Sequence, residues 1–245
     1  MDLVILYKKS PSTCEDEIRF TIRSMEKYVK FDNLIVIGDR PSFLNAKAIY
    51  INLTLENDGI KRDCLFKHID MLAKAKAIIA DERISNDFIW SNDDFIMLQP
   101  QERIPYYYHQ NKTIKEWYDA QNNWEISGGQ KSSTWNKYIK EVYDAFPEGN
   151  WYEVHYPIVF NKKKLDNVIR KYKLEHLGVI RSFYCNNYKT IKGEQIERDY
   201  KIYTVDDFKK YKKAPFISTT NTMGRFQPLT QFLRMRFPEK SSYEK

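Results

Sequence analysis

Continuous apolar runs alternate with helical periodicities through residues 1–104, and this alternation limits the chain to few folds. Leu3 to Tyr7, Leu34 to Gly38 and Ala48 to Asn52 are short and rich in branched and aromatic residues, and they read as buried strands. Between the first two, Ile18, Ile22, Met25 and Val29 recur on one helical face, with Ser12 or Thr13 as N-cap and Glu15 and Asp16 in capping-box register. After the turn residues Asn57, Asp58 and Gly59, a second helix carries Ile60, Leu65, Ile69 and Leu72. Strands alternating with helices predict an α/β fold with a mainly parallel sheet flanked by helices.

The next apolar stretch, Phe88 to Leu98, predicts a buried strand and its continuation around a polar knot, Ser91-Asn92-Asp93-Asp94. Adjacent carboxylates between core residues cost on the order of several kcal/mol per ion when dry and unpaired. A divalent cation removes that objection. Mg²⁺ or Mn²⁺ takes hard oxygen ligands, commonly one or two carboxylates with substrate phosphates and water, and in open α/β sheets ligands bind beyond the carboxyl ends of the strands. The same residues also suit a plain hairpin turn that needs no metal.

With 245 residues the chain can bury a substantial core, and it reads as a single domain whose halves are 1–104 and 105–245. No run reaches the apolar length of a membrane span, and Met1-Asp2-Leu3-Val4 lacks the basic head of a signal peptide, so a cytoplasmic location is expected. Cys14, Cys64 and Cys185 have no metal-ligand spacing and read as reduced thiols. A formal charge of +7 favours polyanionic partners such as nucleic acid or phosphates.

The strand, the helix containing Arg19 to Tyr28, the strand ending Val36 to Pro41 and the apolar-flanked Asn92-Asp93-Asp94 resemble the nucleotide-sugar half of a GT-A (Rossmann-like) glycosyltransferase. Within that fold the chain is similar to Stealth-like capsular polysaccharide transferases. His155-Tyr-Pro157 resembles their His-x-Pro block, Ile180 to Tyr188 their Arg block, and Phe237 to Glu244 the Phe-Pro-x-x-Ser-x-Tyr-Glu ending of the wider group. The leading Trp-Val-Asp-Gly-type stretch of Stealth proteins is absent after the first strand.

The resemblance implies that Asp94, helped by Asp93, holds Mn²⁺ or Mg²⁺ on the diphosphate of a nucleotide-sugar donor. Asn92 would bond the ribose or a metal-bound water. Asp39 is placed to contact the base or to make an Asx turn, Tyr7 to stack on the base or to pack in the core, and Lys61 and Arg62 to meet the diphosphate or lie solvated. His155 sits in an aromatic-rich stretch, Trp151 to Phe160, that reads as a strand. It is a candidate third metal ligand or general base, with a core histidine as the other reading. Glu153, on the same strand face, is the alternative base. Arg181 is expected on the donor diphosphate or the acceptor. His68 and His176 lie in stretches that read as helical.

From Pro105 to Trp135 the chain is aromatic and polar and reads as an irregular cover. Trp124, Gly128 and Gly129 there, with Trp151 further on, are the candidate acceptor contacts. Two acceptors follow: a hydroxymethylated pyrimidine in phage DNA, with the enzyme in the host cytoplasm, or a surface glycan. A nucleic-acid-binding module without catalysis is the third reading.

Overall fold

The computed structural model describes residues 1–9, 15–55, 64–110, 113–126, 133–219 and 227–245. Four strands, β1 (Asp2–Tyr7), β2 (Leu34–Gly38), β3 (Ile49–Asn52) and β4 (Asp87–Asn92), lie parallel, and β7 (Ile158–Asn161) pairs antiparallel with β4 to give the order β3-β2-β1-β4-β7. The apolar runs are unbroken because both faces are covered. Val4, Leu6, Ile35, Ile37, Phe88 and Trp90 point to one side, where helices α2 (Cys64–Ala80), α4 (Ser133–Ala145), α5 (Lys162–Lys171) and α6 (Ile180–Asn187) pack. Leu3, Ile5, Leu34, Val36 and Ile89 point to the other, against α1 (Asp16–Tyr28). The mainly parallel sheet flanked by helices is therefore present.

On α1, Ile18, Ile22 and Met25 are each 0% exposed, as their spacing predicts. Full burial of such side chains stabilises by about 1.5–3 kcal/mol each. On α2 the predicted face is met at Leu72 and missed at Ile69. Leu72, Ala75 and Ile78 face the sheet, whereas Ile69 is 38% exposed. Ile60 and the proposed caps Ser12 and Thr13 lie outside the described residues.

Three further features differ from expectation. Phe88 to Leu98 is no continuous strand: β5 (Phe95–Met97) leaves the main sheet to pair antiparallel with β9 (Phe216–Ser218). The knot is therefore a junction between two sheets, not a hairpin. Residues 151–157 are not a strand either, because bonds from Val154 N–H to Tyr152 O (2.8 Å) and from Tyr156 N–H to Val154 O (2.8 Å) curl the backbone locally. The region after residue 104 is also far from irregular. It holds β6 (Tyr106–His109), α3 (Ile114–Ile126), β8 (Gly193–Ile196), α7 (Val205–Tyr211) and α8 (Gln227–Arg236) besides the elements already placed. Its strand β7 completes the main sheet, and its aromatics share one core with β1, β2 and β4. No described helix is long and apolar enough to cross a membrane.

The tail folds back on α1. The Glu244 side chain is 0% exposed and accepts from Arg19 and from Arg23 Nε (2.6 Å) and Nη2 (2.9 Å), while Arg23 Nη1 reaches the Phe237 carbonyl (2.9 Å). Burial opposes the Glu244 carboxylate, yet the arginine and Ser241 bonds outweigh it and hold its pKa below the ordinary 4.5. A lowered folded value means stability present above pH 4.5 and lost as pH falls through the folded value. Glu244→Ala should cost about 3–5 kcal/mol at pH 7, the scale for stripping one partner from a buried pair. In chemical denaturation this deficit should shrink steadily as the pH drops below 4.5.

Candidate active site

The site is set by register. Leu6 pairs with Asn92 and Tyr7 with Gly38, so β1, β2 and β4 end in one row, and Asp39 and Asp93 both lie just beyond it. Gly38 ends β2 at a φ of +122°, and a Cβ there would stand 2.0 Å from the Tyr7 carbonyl oxygen. Only glycine fits that turn.

The acidic turn is clamped from two sides. The Thr21 hydroxyl of α1 donates to the Asp93 carbonyl (2.8 Å), and the Thr219 amide, just past β9, donates to that of Asp94 (3.0 Å). The Thr219 hydroxyl also donates to the Glu17 carboxyl (2.9 Å), which is 7% exposed and faces the same turn. Burial pushes Glu17 up to about 8, against the Thr219 bond and with repulsion from Asp93 and Asp94 adding to the rise. Asp93 goes up to about 7, by burial first and then by the Asp94 charge, with Lys67 and Lys74 of α2 opposing. Lys74 is itself buried and bonded to Asp70 (2.6 Å). On the other flank Lys201 Nζ stands 4.0 Å from Asp94 Oδ2.

Three mutually repelling carboxyls with cations only at the margins fit an incoming positive ion. Among the described residues no group of three His, Cys, Asp or Glu side chains forms a ready cage. Asp93 and Asp94 are the two carboxylates that could hold Mg²⁺ or Mn²⁺, a donor number that suits an ion whose other ligands are phosphate and water.

The predicted residues divide. Asn92 is half-buried at the strand tip, its side chain without a hydrogen bond to any described residue. Asp39 accepts from the Lys9 amide (2.7 Å) and the Thr54 hydroxyl (2.8 Å) and pairs with Lys8 (3.6 Å), which outweighs its burial and lowers its pKa. It ties together the loops that follow β1, β2 and β3. The Tyr7 ring is 5% exposed in the core, which leaves no open face for stacking. Trp151, 2% exposed and packed on Trp117 (5.4 Å) and Trp135 (6.1 Å), is a core residue rather than an acceptor contact. Lys61, Arg62, Gly128, Gly129 and the side chain of Trp124 fall outside the described residues.

The second-half residues do converge beside the turn, though not as a strand face. His155 Nδ1 is bonded to Asp199 and its ring meets Phe95 edge-on at 6.3 Å, two contacts that leave Nε2 as its remaining ring nitrogen. Arg181 donates to the Tyr156 carbonyl, lies 5.6 Å from the Phe95 ring and feels the charges of Glu153, Asp199 and Asp94. Glu153 accepts from the Ser182 amide at the start of α6 (2.9 Å), and burial, partly countered by Arg181, raises it to about 7. His176 is in a loop, not a helix, and bonds Glu141 of α4 (2.8 Å).

Asp199, Lys201 and Tyr203 were not singled out by sequence, yet they line this side. Tyr200 packs on Phe216 and Ile202 is 2% exposed, while Asp199 meets His155, Lys201 nears Asp94 and Tyr203 is 64% exposed. The alternation in Asp199-Tyr-Lys-Ile-Tyr203 is the period-2 signal that could have found them.

Raised carboxyl values carry the opposite sign to Glu244. Between the ordinary 3.8 of Asp and about 7, folded Asp93 keeps a proton that the unfolded chain has released, so stability falls as pH rises through that window. Asp93→Asn should therefore match the native protein near pH 4 and melt higher above pH 7. A gain of about 2–4 °C in metal-free thermal melts is the scale of 1 kcal/mol for such a chain. No protein-family model matches this chain and no curated protein matches it, so its function must be argued from the chemistry of this turn.

Proposed function

We propose that the chain is a metal-dependent glycosyltransferase of GT-A-like fold that moves a sugar from a nucleotide-diphosphate sugar, first of all a UDP-sugar, to a hydroxyl acceptor. The observation that carries this reading is the Asp93-Asp94 turn at the carboxyl end of β4, where burial and mutual repulsion leave the acids in want of a cation. Asp93 and Asp94 would hold Mn²⁺ or Mg²⁺, which when bound supplies positive charge where the departing diphosphate gathers negative charge. Lys67 and Lys74 on one flank and Lys201 and Arg181 on the other set fixed positive charge around that position. Asn92 would bond the donor from the strand tip. His155 and Glu153 are the candidate bases for the acceptor hydroxyl.

For the acceptor we favour a hydroxymethylated pyrimidine in DNA. Support comes from the charge of +7 and from exposed Lys209, Lys210, Lys212 and Lys213, which follow Tyr203 directly on and after α7. Backbone neutralisation by such lysines positions an enzyme on a duplex, and an extruded base can stack on an exposed ring such as that of Tyr203. A surface glycan is the alternative, in line with the Stealth-like His-x-Pro and Arg blocks. Binding to DNA should weaken steeply with salt, whereas binding to a neutral glycan should not.

The test is intact-mass analysis of hydroxymethylated DNA and of oligosaccharides after incubation with a panel of sugar nucleotides and Mn²⁺. Mass gain on one acceptor class is expected; no transfer, no donor hydrolysis and no donor binding would leave a nucleic-acid-binding module. Asp94→Ala should lower transfer by at least about 10³-fold, in the range of lost electrostatic stabilisation of a transition state. Its melting temperature should stay near that of the native protein, because Asp94 lies on a partly buried turn and, among the described residues, its carboxylate is paired only with Lys201 at 4.0 Å.

A further inference from the structure

The second wall of the site contains a hydrogen-bonded pair that sequence reading did not couple. His155 leads out of the 151–157 loop, and Asp199 sits between β8 and the start of the Tyr200 to Tyr203 segment. The segment is held against β9 by bonds from Ile202 N–H to Ser218 O (2.9 Å) and from Ser218 N–H to Tyr200 O (3.1 Å). Its alternation then aims Asp199 back toward the acidic turn. Asp199 Oδ2 accepts from His155 Nδ1 and lies 3.4 Å from the His155 backbone nitrogen, so one carboxylate oxygen fixes both the ring and its backbone. Asp199 Oδ1 is buried without a hydrogen-bond partner among the described residues, which leaves the His155 contact as the defined interaction of that carboxylate.

An ionised carboxylate can only accept, so the neutral imidazole in this pair carries its hydrogen on Nδ1 and exposes a lone pair on Nε2. The His155 side chain is 37% exposed, and Nε2 has no partner among the described residues. We infer that Asp199 is a positioning residue that holds His155 with Nε2 free to take the acceptor's hydroxyl proton. This gives His155 the role of base, and it rests on the transferase reading given above. In the step, the acceptor O–H bond breaks and its proton goes to Nε2. The acceptor oxygen bonds the anomeric carbon, and the bond from that carbon to the diphosphate oxygen breaks, with its electron pair leaving on the nucleotide. The imidazolium that forms is paired with Asp199.

The other charged or titratable groups around the pair are Arg181 of α6 and His109 of β6, both within electrostatic reach of Asp199, and Tyr203 beyond it. Glu153 and Asp94 lie around Arg181. Arg181 has only donors and cannot accept from the Nδ1 hydrogen, and His109 Nε2 is 3.4 Å from the Glu153 carbonyl oxygen. Burial works against the Asp199 carboxylate, and the hydrogen bond from His155 opposes it, with the net result a pKa below the ordinary 3.8.

Three measurements on the full chain test the assignment. Long-range ¹⁵N–¹H NMR of the histidine rings should show neutral His155 with its proton on Nδ1 in the native protein and a shift toward Nε2 in Asp199→Asn; a native proton on Nε2 overturns the proposal. Calorimetry with UDP and Mn²⁺ should give the same affinity for the native protein, Asp199→Asn and His155→Gln within about 2-fold. Loss of binding in both variants would mean that the pair belongs to the metal or donor site and would overturn the proposal, and absence of binding in the native protein would overturn the transferase reading itself.

The third measurement is hydrolysis of whichever sugar nucleotide the panel selects. The rate constant kcat should fall about 10²–10⁴-fold in either variant with KM unchanged, the range of general-base removal. The double variant should be no slower than His155→Gln alone, because both changes disable one unit. Additive losses, or full activity in Asp199→Asn, would overturn the assignment.

Discussion

Carboxylates set close together at the end of a strand buried on both faces repel each other and are poorly hydrated, and the rest of this molecule is arranged around that difficulty. The parallel sheet supplies the burial. Its register brings the ends of β1, β2 and β4 into one row, and the turn at Asp93 and Asp94 emerges where α1, α2 and the small β5-β9 sheet meet. Hydroxyl and amide groups of Thr21 and Thr219 fix the backbone of the turn, yet they neutralise neither aspartate. Burial and the charge of their neighbours therefore raise Glu17 and Asp93 toward neutral pH. Acids crowded in this way at the carboxyl edge of the sheet cost the fold stability at neutral pH.

That expense is offset by a firmly held periphery. The buried Glu244 carboxylate joins Arg19 and Arg23, and Tyr243 and Lys245 add backbone bonds to the loop after β2. These contacts pin α1, the helix that carries both Glu17 and Thr21. The Phe-Pro-x-x-Ser-x-Tyr-Glu ending thus has a mechanical explanation in this chain, whatever reaction the site performs.

Much of the fold was legible because its cause is local. Leu3 to Tyr7 and Leu34 to Gly38 are strands in a doubly covered sheet, and their composition says so without tertiary information. The reading of 151–157 as a strand failed because aromatic density mimics strand propensity, while close carbonyl-to-amide bonds two residues apart bend the backbone out of any ladder. Tyr7 and Trp151 show a second limit. Aromatic residues near a site are as often its foundations as its walls, and only burial separates the two. The Asp199 partnership with His155 was out of reach for another reason. It spans 44 residues, and nothing in either sequence neighbourhood names the other.

The tryptophans lend the molecule a set of optical reporters. Trp117, Trp135 and Trp151 lie with ring centroids 5.4 and 6.1 Å apart across the pairs that share Trp151, close enough for their excited states to couple. Trp90 lies in the sheet, in edge-to-face contact with Phe160 at 5.6 Å. Ellipticity near 290 nm, on the order of the indole absorption edge set by these buried rings, therefore follows the packing of the helical half. Trp90 emits in the same band as the other four tryptophans, so its own report on the strand whose tip carries the acids is read once Phe replaces them.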